Sequence, residues 1–344
     1  MNDDNRVTPH GSELVDLLVD EERARLLKEI AFNLPDLTLN ERQMCDLELL
    51  ATGGFSPLKG FMIRSDYESV LDRMRLQNDT LWPIPICMDI DELKARNLEA
   101  GQSVALRDPE GYLLAVMHIE DLWPVEREKE AQQVYGTLDQ DHPGIEYLYK
   151  ISGDYYIGGQ LEVLSPPLHS DFKQLRMTPA EIRANFKKFG WKRMVAFMTR
   201  NPIHRPQYEM TMNAMRDANA NLLLLPIAGM TKPGDFDHYT RVRCYRRVTE
   251  HYPPDTFMLN LLPLAMRMSG PREALLHAIV AKNYGCTHFI TGRDHAGPGL
   301  DCNGEPYYKS DDACKLTKEH SNDIGLTIVP FAEMVYLPFE DEFR

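Results

Sequence analysis

The segment RMVAFMTRNPIHRPQYEMTMNAMRDANANLLLLPIAG, residues 193–229, decides the fold. It opens with the apolar run RMVAFM, passes through the longer stretch QYEMTMNAMRDANA and closes with the apolar run NLLLLPIAG. Short apolar runs bounded by turn residues are typical of buried strands, and the middle stretch is long enough for a helix. A strand, a helix and a second strand in this order predict parallel neighbours in one sheet.

The same alternation continues downstream. We expect a helix at DHYTRVRCYRRVTEHY, a strand at TFMLNLLP, a helix at PREALLHAIVAKNYG, and strands in THFITG and GLTIVPFAEMVY. Apolar strands alternating with helices predict an α/β fold with a doubly wound parallel sheet.

The first half of the chain has a different rhythm. Short strand-like runs occur in LWPIPICMDI, QSVALRD, GYLLAVMHIEDLWPV and YYIGGQLEVLSP, after helices near EERARLLKEI and ERQMCDLELLA. This pattern predicts a β-rich domain over residues 1–170 and the α/β domain over residues 171–344.

Composition limits the partners. The 344 residues are 43% hydrophobic, enough for two cores, and the formal net charge is −14. Nucleic acids and anionic membrane surfaces bind net basic footprints, so we expect neither as a partner. Any anion site must be a local cationic pocket.

The cysteines and the termini favour a cytoplasmic protein. Six cysteines are scattered without a CxxC pair, which disfavours a disulfide scaffold or a structural zinc site: Cys45, Cys87, Cys244, Cys286, Cys302 and Cys314. The first residues lack a signal-peptide pattern, and no run of about 18 apolar residues occurs.

Four loops follow the predicted strands, and ligands of such sheets bind where the carboxyl ends of the strands meet. The loops are TRNPIHRP, AGMTKPGDFDHYTR, LPLAMRMSGP and GRDHAGPG. Each carries a basic residue together with Gly or Pro. Basic side chains near helix N-termini predict a phosphate-type pocket at this edge.

The loop TRNPIHRP offers three candidate ligands. Arg200 can grip an oxyanion, Asn201 can donate to phosphate and His204 can meet developing charge. Pro206 suits the start of a helix. The alternative interpretation is a solvated loop whose charges serve solubility.

The loop GRDHAGPG, residues 292–299, has more residues suited to ligand binding. Its glycines permit close approach of backbone to a ligand, Arg293 and His295 supply donors, and Asp294 can orient one of them. A structural turn with an internal Arg–Asp pair is the alternative.

The other two loops are weaker candidates. MTKPGDFDHYTR is also an ordinary turn followed by a capped helix. Arg267 or Arg272 could face the pocket, or could form an ion pair with Glu273.

No GxxxxGK[ST], strand-linked GxGxxG or GxSxG motif is present, so phosphate chemistry without a P-loop remains.

Longer motifs carry a family resemblance. They are CDLELLATGGFSPLKGFM, GGQLEVLSPP, MTKPGDFDHYTRVRCYRR, LPLAMRMSGPREALLHAIVAKNYGCTHFITGRDHAGPG and IVPFAEMVY. Through these the chain resembles the ATP sulfurylase (sulfate adenylyltransferase) family over nearly its whole length. The resemblance implies a PUA-like β-barrel domain followed by a Rossmann-like nucleotidyltransferase domain.

The resemblance also implies the reaction: sulfate attacks the α-phosphorus of ATP, with Mg²⁺ present and no covalent enzyme intermediate. Sulfate is fully ionised, so catalysis must depend on positioning and charge neutralisation. By resemblance, Arg200, Arg293 and the Ala296 amide hold sulfate, while Asn201 and His204 hold the ATP phosphates. The implied nucleotide contacts also include Thr199, Gln207, Gly292, Asp294, His295 and Val329. A homo-oligomer, with a dimer as the first expectation, is implied as well.

Two positions depart from the family motif. Met198 stands where the family has a sulfate-binding Gln, and Gln207 stands where it has a second His that stabilises pyrophosphate. Losing a hydrogen bond to a charged group costs roughly 1.5–3 kcal/mol. Losing the second His would lower the rate about 10²-fold.

Three hypotheses therefore remain open. The chain is a working sulfate adenylyltransferase, a nucleotidyltransferase for another anionic acceptor, or a non-catalytic nucleotide-binding paralogue. Within these residues we expect neither the small C-terminal subdomain of the family nor an adenylylsulfate kinase domain.

Overall fold

This computed structural model describes residues 7–232, 234–331, 336–339 and 342–343. The elements up to residue 163 are α1 (Glu21–Ala31), β1 (Asp36–Thr38), α2 (Glu41–Ala51), β2 (Gly60–Phe61), α3 (Arg64–Arg73), β3 (Met88–Ile90), α4 (Glu92–Ala95), β4 (Ser103–Arg107), β5 (Leu113–Pro124), α5 (Arg127–Glu130), α6 (Pro143–Glu146) and β6 (Tyr155–Val163). Helices α5 and α6 run on into π-helical turns at Ala131–Tyr135 and Tyr147–Ile151.

The strands of this half form one mixed sheet. Its order is β1-β4-β5-β6-β2, and β3 also pairs with β6. The β1–β4 pairing is parallel and the others are antiparallel. The predicted β-rich domain is thus confirmed, although LWPIPICMDI is strand only over Met88–Ile90, because Pro83 and Pro85 cannot donate to a ladder.

The second half is the predicted α/β unit. Its elements are α7 (Pro179–Phe189), β7 (Met194–Thr199), α8 (Arg205–Ala218), β8 (Asn221–Pro226), α9 (His238–Thr249), β9 (Phe257–Leu259), α10 (Pro271–Asn283), β10 (His288–Thr291), α11 (Asp312–Glu319), α12 (Ser321–Ile324) and β11 (Thr327–Pro330), and then a two-stranded ladder of β12 (Tyr336–Leu337) and β13 (Glu342–Phe343). The main sheet has the order β11-β10-β7-β8-β9.

All four pairings in the main sheet are parallel. Strand β7 is buried on both faces, so its successive side chains enter different cores. Met198 belongs to the larger core, which continues into the first half of the chain, and Phe197 belongs to a smaller core under α8 and α9. Residues 332–335 of the predicted segment GLTIVPFAEMVY lie outside the described residues.

A buried ion pair joins the two halves. The Arg267 guanidinium donates to both carboxylate oxygens of Asp46 on α2, at 2.7 and 2.5 Å. Both residues are almost fully buried. The segment after β9 is thereby fixed against the N-terminal half, because separating a buried pair would leave two uncompensated charges. The predicted domain boundary near residue 170 stays a prediction.

Candidate functional site

The carboxyl ends of the parallel strands surround a cavity of about 330 Å³, which we call the arginine cavity. The described residues that line it come from the ends of β7, β8, β10 and β11 and the loops after them, from the segment after β9, from the start of α8 and from the middle of α10. They are Phe197, Met198, Thr199, Arg200, Asn201, Gln207, Ile227, Met266, His277, Gly292, Arg293, Asp294, His295, Ala296, Gly297 and Phe331. The loops after β7 and β10 therefore meet as the sequence predicts.

Ten of the twelve site residues predicted from the sequence line this cavity, including Arg200, Arg293 and Ala296. His204 and Val329 are absent from the described lining. His204 is exposed just before α8, and Val329 lies on β11 against the smaller core. Arg200 and Arg293 therefore share one cavity, and the roles of His204 and Val329 stay predictions.

Arg200 reaches across the cavity to the opposite loop. Its Nη1 and Nη2 atoms both donate to the Gly297 carbonyl at 3.4 Å, and Nη1 contacts the Met268 sulfur at 3.3 Å. Its Nε atom lies 3.4 Å from an Asp235 carboxylate oxygen, with both side chains largely buried. Asp235 thus partly neutralises Arg200 in this arrangement.

Two side chains of α9 hold the turn that carries Arg200. Arg241 donates to the carbonyls of Arg200 and Ile227, at 3.2 and 3.0 Å, and Tyr245 donates to the Asn201 carbonyl at 3.0 Å. Sequence reasoning missed both, because within DHYTRVRCYRR they are indistinguishable from ordinary helix residues. The turn is fixed from behind, so little ordering is left for a ligand to impose.

The Gln207 side chain both caps helix α8 and faces the site. Its Oε1 atom accepts a hydrogen bond of 2.7 Å from the His204 backbone amide and so caps the start of α8. The side chain also lines the arginine cavity. Because the carbonyl oxygen is occupied, the amide nitrogen is the group left to donate to a ligand.

Met198 is 4% exposed and forms part of the cavity wall together with Met266. The neighbouring Met268 contacts Arg200 through its sulfur. Thioethers are weak acceptors and cannot donate, so this wall is apolar and polarisable. The departure seen in the sequence therefore faces the cavity.

The Gly292–Gly297 turn is held by His295. The Gly292 amide donates to Nδ1 of His295 at 3.3 Å, and Nε2 of His295 lies 2.9 Å from Nδ1 of His277 on α10. Burial above all, together with the Arg200 charge, lowers the pKa of His295 well below its ordinary value. His295 is therefore neutral at physiological pH.

Asp294 is the carboxylate within the described cavity lining. Burial raises its pKa, against the opposing effect of Arg200 and Lys232. The Lys232 ammonium donates to the Pro298 carbonyl at 2.8 Å, which ties the loop after β8 to the loop after β10. Among the described residues, no cluster of three or more His, Cys, Asp or Glu could hold a metal ion.

Arg267 and Arg272 do not line the arginine cavity in the described structure. Arg267 pairs with Asp46, and Arg272 donates to the carbonyls of Val70, Leu71 and Pro83. Both serve the contact between the two halves of the chain. Nor do they form a surface pair with Glu273, which is buried and accepts the Arg267 backbone amide at 2.8 Å.

A second cavity of about 520 Å³ lies between the two halves, beside the first, and Met266 lines both. Its described walls include Arg42, Lys232 and Arg241.

No helix within the described ranges is long and apolar enough to span a membrane.

The parallel sheet with a cationic cavity at its carboxyl edge, behind a β-rich domain, defines an α/β protein whose site suits an anionic ligand. Family models agree: one described as ATP-sulfurylase matches residues 173–344, and one described as PUA-like domain matches residues 7–166. The chain belongs to the ATP-sulfurylase family.

Its relatives include proteins named sulfate adenylyltransferase. That of Mycosarcoma maydis is 48% identical over 340 residues, covering 98% of this chain and 59% of the relative. That of Schizosaccharomyces pombe is 48% identical over 320 residues, covering 92% and 65%. The chain thus spans about three fifths of the length of these relatives.

A solved structure has the same fold. It is described as a hexameric APS kinase from Thiobacillus denitrificans and superposes with a TM-score of 0.80 at 32% identity. The match covers 98% of this chain and 59% of the other.

Proposed function

We propose that this chain is a sulfate adenylyltransferase, converting ATP and sulfate to adenosine 5′-phosphosulfate and pyrophosphate. One observation carries the proposal: Arg200, Arg293 and Ala296 line a single cavity at the carboxyl edge of the sheet. Two guanidinium groups and a backbone amide suit a tetrahedral dianion.

The reaction needs no base from the protein. A sulfate oxygen forms a bond to the α-phosphorus, and the bond from that phosphorus to the bridging oxygen breaks, so pyrophosphate leaves with this oxygen. No proton is transferred, in keeping with a cavity whose histidine His295 stays neutral. The proposed work of the site is alignment and charge neutralisation.

The phosphate chain would lie between Arg293 and the start of α8. Gln207 lines the cavity from that helix start, and its side-chain amide nitrogen is left to donate to a phosphate oxygen. Asn201 and Thr199 would contact the phosphates from the β7 loop, and exposed His204 would meet them from the solvent side. Gly292, Asp294, His295 and Val329 would border the nucleotide.

Mg²⁺ would enter with ATP. Magnesium usually takes one or two carboxylates together with substrate phosphates, and Asp294 fits the first requirement. When bound, the ion would neutralise part of the phosphate charge.

A second candidate is a nucleotidyltransferase for an oxyanion that carries one apolar substituent, such as a sulfonate. The apolar wall made by Met198 and Met266, with Met268 against Arg200, favours it. Such a wall offers no donor to a fourth sulfate oxygen but would pack against a methyl group.

Pyrophosphate release distinguishes these candidates. Purified protein with ATP and Mg²⁺ should release pyrophosphate only when sulfate is added, and methanesulfonate should give less. Faster release with methanesulfonate would favour the second candidate. ATP binding without release under any acceptor would refute both.

We also propose a cytoplasmic homo-oligomer. The solved neighbour is described as hexameric, whereas the family resemblance predicts a dimer first. Sedimentation equilibrium of the purified chain distinguishes a dimer from a hexamer.

A further inference from the structure

We infer that His277 is a positioning residue for the arginine cavity: with the negative charge of Glu273 beside it, it holds His295 in one tautomer and so fixes the Gly292–Gly297 turn. The inference rests on the proposed function only for its kinetic consequence. It starts from a line of buried polar groups along α10.

The direction of each hydrogen bond follows from the backbone. The Gly292 amide can only donate, so the Nδ1 atom of His295, 3.3 Å away, must accept. A neutral imidazole then carries its proton on Nε2. That proton is donated to Nδ1 of His277 at 2.9 Å.

The same logic passes to the next ring. Because Nδ1 of His277 accepts, the ring proton of His277 lies on Nε2, which is 3.6 Å from Oε1 of Glu273. This is an electrostatic contact rather than a hydrogen bond, and Nε2 has no other hydrogen-bond partner in the described structure. His277 and Glu273 are 1% and 0% exposed, so water does not screen the contact.

Glu273 is itself fixed. Its two oxygens accept the backbone amides of Arg267 and Ser269, at 2.8 and 3.1 Å. Burial acts to raise the pKa of Glu273, but His277 and Arg267 outweigh burial and lower it. A carboxylate anchored in this way is a fixed end point for the donors that point towards it.

The consequence for His295 is specific. Both of its ring nitrogens are occupied, one by the Gly292 amide and one by His277. His295 therefore shapes the turn that carries Arg293 instead of donating a ring hydrogen to phosphate. Residues that fix the orientation of a ligand-binding group commonly have such a role.

The test is nitrogen NMR of the full chain labelled with ¹⁵N-histidine, with the His295 signals assigned from their loss in His295→Asn. We expect His295 protonated on Nε2 alone at neutral pH. His277→Leu, which cannot accept a hydrogen bond, should give a mixture of tautomers, and Glu273→Gln a smaller change in the same direction. His277→Asn, which keeps an acceptor near the position of Nδ1, should restore the single tautomer.

A control and a kinetic readout complete the design. His118→Leu removes a histidine of the N-terminal sheet and should leave the His295 signals unchanged. His277→Leu should lower kcat about tenfold while changing KM for ATP less than about twofold, and His277→Asn should recover most of the loss.

Protonation of His295 on Nδ1 in the unmodified protein, or an unchanged tautomer in both His277→Leu and Glu273→Gln, would overturn the inference. If His277→Leu does not fold, the unmodified spectrum and Glu273→Gln decide. Absence of sulfate-dependent turnover would refute the proposed function and leave the NMR result standing.

Discussion

Nε of Arg200 lies 3.4 Å from a carboxylate oxygen of Asp235, and the two side chains are 15% and 8% exposed. The residue proposed to receive an oxyanion therefore already faces a negative charge. A bound dianion would compete with Asp235 for Arg200 and would be repelled by it.

Asp235→Asn tests this competition. Removing the carboxylate charge should tighten sulfate binding about threefold to tenfold, since a partly buried ion pair is worth on the order of 1 kcal/mol. Calorimetric titration with sulfate measures the change, and Asp237→Asn, on the exposed side of the same loop, is the matched control. Weaker binding in Asp235→Asn would show that Asp235 orients Arg200 rather than neutralising it.

Met198 and Gln207 give the second prediction. Met198→Gln places a donor in the cavity wall, so together with Gln207→His it should raise sulfate-dependent turnover by ten- to a hundredfold or more. Met198→Leu, apolar and of similar volume, should give no gain. Turnover that stays flat in the double variant would exclude these positions as the cause of weak activity.

Gly297 gives a test of Asp294. A Cβ atom at Gly297 would lie 1.9 Å from an Asp294 carboxylate oxygen, so Gly297→Ala must displace that carboxylate. If Asp294 serves MgATP, Gly297→Ala and Asp294→Ala should raise KM for MgATP to a similar extent. The double variant should be no worse than Asp294→Ala alone, because the clash is then gone. Additive losses would mean that Gly297 matters for another reason.

Two buried histidines predict a pH dependence of stability. Burial lowers the pKa of His10 and of His142 to about 4. In the unfolded chain a histidine has a pKa near 6.5, so below that pH the unfolded chain binds more protons than the folded protein. The free energy of unfolding is therefore highest above pH 6.5 and falls as the pH drops towards 4. At pH 5 each of these two histidines should lower the free energy of unfolding by about 2 kcal/mol relative to pH 7.

Urea unfolding at pH 7 and pH 5 measures this difference. His142→Gln should remove about 2 kcal/mol of the pH dependence, because glutamine does not titrate in this range. An identical free energy of unfolding at both pH values would contradict the assignment.

Local patterns predicted most of the fold. The helix expected at ERQMCDLELLA is α2 at Glu41–Ala51, and NLLLLPIAG contains β8 at Asn221–Pro226. Helix α7 went unpredicted although Thr178 and Glu181 form a capping box at its start. That signal lies just after the predicted domain boundary near residue 170, ahead of the first predicted strand of the α/β domain.

The sequence predicts the site residues that directly follow the predicted strands, and it does not predict the others. Arg200 and Arg293 could be brought together because parallel strands end at a common edge. His277 and Glu273 lie within α10, where their spacing is that of any helix. Their relation to His295 arises from tertiary distance, which no local pattern contains.

The central claim is that Arg200 and Arg293 hold one oxyanion between them. Its most direct test is calorimetric titration of sulfate in the presence of Mg²⁺ and α,β-methylene-ATP, for the unmodified chain, Arg200→Gln and Arg293→Gln, with Arg193→Gln as the control outside the cavity. The account predicts at least about tenfold weaker sulfate binding in each of the two cavity variants and unchanged binding in the control. Undiminished sulfate affinity in either cavity variant would contradict it.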